Sequence, residues 1–321
     1  MSDSHTARRV VLTGASSGIG RATALAFARE GADMLLAARG REALDTVAAE
    51  CEAAGARTLV VPTDVADAGA MSELAQAALE RFGGIDVWIN NVGIGAVGRF
   101  EQTPIEAHRR VIEVNLIGHM NGAHAVLPHF RERRSGILIN MISIGGWVSA
   151  PYAAAYTASK FGLRGFSESL RAELSDMRDV HVCEMYPTFV DTPGMSHGAN
   201  HTGRRLRPSP PLVDAREVAA ALVKLAKSPR ASTGIGSVAP PARLAHAIAP
   251  NLLGRLSRQL FDLALARAQP APITDGNLFS PSQGSAIDGG YRRPVPLGAS
   301  LAAVAALGAL AWWATSRRGG R

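Results

Sequence analysis

At 321 residues the chain can hold one large α/β domain with an appendage or two modest domains, and a 47% hydrophobic content suits a packed core and argues against disorder. Two cysteines, Cys51 and Cys183, are too few and too far apart for a disulfide framework or a zinc site. The formal net charge of +7 sits almost wholly in the tail: residues 240–321 carry nine arginines against Asp262, Asp275 and Asp288, so the first 239 residues are close to neutral and no basic nucleic-acid footprint is expected there.

Met1 to Arg9 is polar, so no signal peptide is expected. Short strand-like runs then alternate with helical periodicity, which predicts a doubly wound parallel sheet, α/β in class, with helices on both faces. Residues 9–12 make the first strand, which stops at Thr13-Gly14 and leads into a helix through Gly31. A second strand over 34–38, a charged amphipathic helix over 41–54 and a third strand over 58–61 follow. A helix over 70–82 leads to a fourth strand over 85–90. The long helix after Pro104 reaches about Phe130; its His119, His124 and His129 are five residues apart, which does not stack ligands on one helix face, and no metal site is predicted. A fifth strand over 136–142, a helix over 154–177 and a sixth strand over 180–186 come next. Residues 188–212, rich in Pro, Gly, Ser and His, predict a loop or lid. A helix over 214–226 and a last strand near 235–238 complete a domain spanning 1–239.

Residues 240–296 read as a helical and turn-rich extension. Leu252, Leu253, Leu256, Leu260 and Leu263 share one side of a helix over 251–268, with Arg255, Arg258 and Asp262 opposite, a pattern that could lie on an anionic surface. Residues 297–315 contain no charge. As a helix at about 1.5 Å per residue they would span most of a bilayer core. Eight alanines and two glycines weaken the hydrophobicity, whereas Trp312 and Trp313 near one end and Arg317 and Arg318 beyond it suit an interface. The expectation is membrane association through this segment, with the catalytic domain cytoplasmic; a helix packed on the domain is the alternative.

Thr13-Gly14-Ala15-Ser16-Ser17-Gly18-Ile19-Gly20 joins a strand directly to a helix. Glycines at 14, 18 and 20 let such a turn approach a pyrophosphate, and the helix N-terminus offers it free N–H groups and the positive end of a dipole. The Gly-x3-Gly-x-Gly spacing, Tyr156-x3-Lys160, Ser143 thirteen residues before the tyrosine, Asn115 in Val114-Asn115-Leu116, Asn90-Asn91-Val92-Gly93 and Asp64-Val65 recur in one order. Over residues 8–239 this pattern resembles the compact branch of the short-chain dehydrogenase/reductase family. The resemblance implies a Rossmann-type fold and a nicotinamide dinucleotide cofactor. It implies cofactor contacts from Gly14, Ser16, Ser17, Gly18, Ile19 and Gly20, adenine contacts from Asp64 and Val65, and a place for Asn91 at the cofactor. It also implies a nicotinamide-ribose contact for Lys160, a proton relay supported by Asn115, and a homo-oligomer.

The chemistry agrees with these implied roles. A phenol of pKa near 10 is a poor base at neutral pH. A lysine four residues on lies one helical turn away, where its ammonium would favour the phenolate, so Tyr156 becomes the acid/base and Ser143 a donor to the substrate oxygen. Where an acidic residue would bond the 2′-hydroxyl of NAD, the chain has Ala37-Ala38-Arg39; Arg39, helped by Arg21, suits the 2′-phosphate of NADP, which is preferred to NAD. The family's Pro-Gly after the sixth strand here reads Pro187-Thr188, and Thr192 matches its carboxamide-contacting threonine; Pro187 and Thr192 are expected at the cofactor. The expected function is NADP-dependent interconversion of a carbonyl and an alcohol on a small molecule, hydrophobic if a membrane supplies it. The alternatives are an epimerase or dehydratase using the same Tyr156 and Lys160, and a nucleotide sensor or scaffold.

Overall fold

Both faces of the predicted strands are apolar, and both are covered. The computed structural model describes residues 7–237 and 239–292; residues 297–315, the candidate anchor, lie outside the described residues. Strands β1 (Arg9–Thr13), β2 (Asp33–Ala38), β3 (Thr58–Pro62), β4 (Val87–Asn90), β5 (Ser135–Met141), β6 (Asp179–Pro187) and β7 (Ser232–Ile235) form one sheet in the order β7-β6-β5-β4-β1-β2-β3. Every pairing in it is parallel. The last strand spans Ser232–Ile235, slightly earlier than the expected 235–238, with Thr233 and Gly234 in register opposite Met185 and Tyr186.

Alternate residues of each strand serve opposite faces. Val10, Leu12, Met34, Leu36 and Ile89 pack against α1 (Gly18–Arg29), α2 (Arg41–Ala53) and α7 (Ala215–Lys227). Val11, Leu35, Trp88 and Leu138 pack on the other side, with side chains from α3 (Ala68–Phe82), α5 (Gly118–Arg133) and α6 (Ala154–Glu173). The long helix after Pro104 is α4 (Ile105–Ile112) continued into α5 through a π turn, Glu113–Ile117, which carries Asn115. Inside the sheet, Asn90 Nδ2 donates to Asn140 Oδ1 (3.0 Å) and Asn140 Nδ2 to Ser167 Oγ (3.0 Å), so the polar groups buried between β4, β5 and α6 satisfy one another.

The extension begins with a helix that the sequence reading did not separate, α8 (Ala239–Ile248), followed by α9 (Pro250–Arg267). Leu253, Leu256, Phe261 and Leu265 are the partly buried apolar side chains of α9, Arg255 and Arg258 stay exposed, and at the domain Asp262 accepts a hydrogen bond from Tyr152 while Phe261 stacks on the Tyr152 ring with centroids 5.1 Å apart. Leu260 and Leu263 stay 68% and 47% exposed on the outer side. Among the described residues no helix is long and apolar enough to cross a membrane. After α9 the chain runs extended over the C-terminal edge of the sheet, touching the lid through isolated bridges Arg204–Pro270 and Asn200–Thr274.

Candidate active site

The sheet order reverses at β1 and β4, and the predicted site residues lie just beyond the C-terminal ends of the strands around that point, where open α/β sheets bind ligands. After β1, Gly14 and Gly18 take positive φ (66° and 53°), and helix α1 starts on Gly18. Ser17 stands at the N-cap of α1 but its hydroxyl does not cap the helix, which leaves it for a ligand. Asn91 braces the turn from behind: its N–H donates to Thr13 Oγ1 (3.0 Å) and its side-chain amide to Thr13 O and Gly14 O (3.2 and 3.1 Å). A glycine turn, a helix N-terminus and a serine hydroxyl that does not cap it fit a dinucleotide pyrophosphate.

Ser143, just past β5, has φ 116°, a strained value for a residue with a side chain. Its hydroxyl accepts from Gly145 N (3.2 Å) and lies against the Tyr156 phenol, favouring ionisation there. Burial opposes this more strongly and raises the phenol above its ordinary value. Lys160 is buried, donates to Met141 O at 2.9 Å and holds its Nζ 5.8 Å from the Tyr156 ring centroid. Burial lowers the Lys160 ammonium to about 7.

Asn115 is fully buried in the π turn. Its amide exchanges hydrogen bonds with the Ile94 backbone (2.9 and 2.8 Å) and donates to Ser159 Oγ (3.2 Å). The side chain therefore ties the segment after β4 to helix α6 next to Tyr156. His119 is likewise buried, hydrogen-bonded to Val92 O, and held neutral by desolvation at about 3.

The adenosine end shows what the sequence did not reveal. Val65 is buried after β3. Asp64 is pushed up by burial, but the Ala66 N–H and the Arg110 guanidinium outweigh this and hold the carboxyl below its usual range. Arg39 is not solvated and does not stand open: it donates to the carbonyls of Asn277, Leu278 and Ser280 at 2.5, 3.0 and 2.8 Å. Arg21, expected to assist it, pairs with Glu50 and donates to Ser285 O. Arg110 was missed because nothing local in α4 marks it; its partners, Asp64 and Leu278 O, are distant in sequence. On the nicotinamide side, Pro187 ends β6, and Thr188 needs no glycine-like backbone: it stays at negative φ and its N–H donates to Ile235 O (3.0 Å). Thr192 closes against the glycine turn, 3.2 Å from where a Gly18 side chain would begin.

A profile described as short chain dehydrogenase matches residues 8–202. This chain belongs to the short-chain dehydrogenase/reductase family. The family makes it an NAD(P)-dependent dehydrogenase/reductase with a Rossmann-type sheet. An oxidoreductase of Bacillus subtilis, YxnA, is 32% identical over 78% of this chain and 71% of its own. The cow dehydrogenase/reductase SDR family member 7B is 37% identical over 57% of this chain and 58% of its own, so this match spans little more than half of the mammalian protein. Among solved structures, an alcohol dehydrogenase from Thermococcus sibiricus, complexed with 5-hydroxy-NADP, is 29% identical with a TM-score of 0.64 over 72% of this chain and 97% of that one. Levodione reductase is 28% identical, TM-score 0.65, over 71% and 95%.

Proposed function

We propose that this short-chain dehydrogenase/reductase is an NADP-dependent carbonyl reductase or alcohol dehydrogenase in which Tyr156 carries the proton. The observation that supports it is the meeting of the Tyr156 phenol with the Ser143 hydroxyl at the end of β5, beside a buried Lys160. The nicotinamide, when bound, supplies or accepts the hydride. In the reducing direction the Tyr156 O–H gives its proton to the substrate oxygen, while the Ser143 hydroxyl donates a hydrogen bond to the same oxygen. In the oxidising direction the phenolate takes the proton back. A panel of ketones, aldehydes and alcohols, followed by NADPH consumption or formation, tests the reaction; no turnover of any of them while the cofactor binds would favour a nucleotide sensor.

The preference for NADP rests on Arg39 at the end of β2 with no carboxylate in the equivalent place. NADPH is expected to bind more tightly than NADH, and Arg39→Asp to reverse that order by replacing the phosphate partner with a 2′-hydroxyl acceptor. Titration of both cofactors by fluorescence measures this; equal affinities in the unmodified protein refute the assignment.

Membrane association is proposed from the uncharged residues 297–315 together with the outward leucines of α9, whose neighbours Arg255, Arg258 and Arg267 suit anionic lipid. Removal of residues 293–321 is expected to move the protein from the pellet to the supernatant of a high-speed spin, with cofactor binding retained. A full-length protein that stays in the supernatant without detergent overturns this.

A further inference from the structure

The segment between the lid and the end of the described chain runs past Arg39, Arg110 and the glycine turn and takes hydrogen bonds from all three. At the adenosine end Leu278 is fully buried in the apolar cluster that contains Ala37, Val65 and Val114. Its carbonyl accepts from both Arg39 Nη1 and Arg110 Nε at 3.0 Å. With the bonds to Asn277 O and Ser280 O, Arg39 spends three N–H donations on this one stretch. At the glycine turn, Gly18 N–H donates to Ala286 O at 2.9 Å. Beyond that point the chain is fastened outside the cleft. Ile287 packs against Ala22, Ala215 and Ala219, and Asp288 forms two bonds with Arg216 at 2.8 and 2.9 Å. Buried Asp191 accepts the N–H groups of Gly289, Tyr291 and Arg292 at 3.1, 3.0 and 3.0 Å.

We propose that residues 277–286 are an intramolecular occupant of the dinucleotide cleft, which the cofactor displaces in order to bind. This rests on the reading of Arg39 and the glycine turn as cofactor groups. Peptide carbonyls stand where anionic oxygens would: one row of them takes three of the five N–H donors of the guanidinium assigned to the 2′-phosphate, and the Ala286 carbonyl takes an amide of the pyrophosphate turn. They are neutral acceptors, and a charge-assisted bond to a phosphate is roughly twice as strong, so the occupant yields to the cofactor rather than excluding it. The fastening at 287–292 keeps the displaced stretch close by, ready to return on cofactor release. Apparent affinity is then the intrinsic affinity reduced by the fraction of molecules whose cleft is open.

Two full-length variants loosen the strap without touching the proposed cofactor groups: Asp288→Arg, which turns the surface pair with Arg216 into a repulsion, and Leu278→Ser with Ile287→Ser, which removes both apolar anchors. NADPH and NADH are titrated against each, and amide hydrogen exchange of residues 277–286 is followed in the unmodified protein with and without NADPH. Affinity for both cofactors is expected to rise by about tenfold or more in the variants, and NADPH is expected to speed exchange at 277–286. Unchanged or weaker binding, or protection of 277–286 by NADPH, overturns the proposal and makes the segment a clamp over bound cofactor. Tighter binding in the variants with NADH preferred to NADPH keeps the strap and removes the NADP assignment instead. Binding of neither cofactor to any form removes both.

Discussion

Tyr156→Phe is expected to lower turnover by ~100-fold or more, the usual contribution of a positioned acid/base, while cofactor affinity stays close to that of the unmodified protein. The phenyl ring keeps the shape of the site, and the groups around it hold their places by bonds that do not involve the phenol: Lys160 to Met141 O, Ser143 to Gly145 N, Asn115 to Ile94. Only the proton is lost. The pH dependence gives a second readout. Burial raises the phenol above its ordinary value, so the phenolate needed for alcohol oxidation is scarce at neutral pH and grows as pH rises. Oxidation is therefore expected to climb through the alkaline range, whereas carbonyl reduction, which uses the protonated phenol, stays nearly flat there. The variant should show neither the rate nor the climb. Initial rates in both directions, with cofactor binding measured separately, check this. Near-normal turnover in the variant refutes the role of Tyr156, and an oxidation plateau already reached below about pH 8 shows that Lys160 lowers the phenol in the working complex after all.

The Tyr156–Lys160 pair shows where the sequence stops being informative. The four-residue spacing places both side chains on one side of α6, and they do lie there. Whether an ammonium at that position keeps its full charge depends on burial by β5, which spacing within a helix does not encode. The sheet itself was legible because strands buried on both faces are apolar and punctuated by Gly and Pro, and because alternation with helices leaves few topologies. The glycine turn and the Tyr-x3-Lys pair were legible because each is local. Arg110, Asp191 and the strap were not. Arg39 bonds to carbonyls some 240 positions away, and Asp191 clasps three backbone N–H groups about 100 positions away. Backbone carbonyls carry no residue signature, so nothing in 277–286 announces that it would meet an arginine. For α9 the leucine periodicity was visible, but which leucines are covered was not: Leu253 and Leu256 are partly buried, whereas Leu260 and Leu263 are exposed.

Gly20→Ala is expected to cost more than any other one-carbon change in the glycine turn. Gly20 lies inside α1, and its φ is not the reason it must be glycine. A Cβ there would sit 1.8 Å from Gly14 O and 2.7 Å from Gly14 C, with Asn91 Nδ2 at 2.9 Å. Two of these three atoms are backbone, so no side-chain rotation relieves the contact; α1 would have to move away from β1. Gly14 O also accepts from Asn91 Nδ2, so the displacement would disturb the brace between β1 and β4. Overpacking of this kind typically destabilises by ~1–3 kcal/mol, and the fall in cofactor affinity should reach ~100-fold, or ~2.8 kcal/mol, because the turn and the helix end no longer present their N–H groups to one point. Gly165→Ala provides the contrast. It lies in α6 with nothing within 4 Å of its added carbon, so it should gain ~0.5–1 kcal/mol from a stiffer unfolded chain and leave cofactor binding unchanged. Thermal unfolding and NADPH titration of the two variants side by side separate the contributions. If Gly20→Ala binds NADPH as well as Gly165→Ala does, the helix can shift at little cost and the close approach of α1 to β1 is not what shapes the cofactor site.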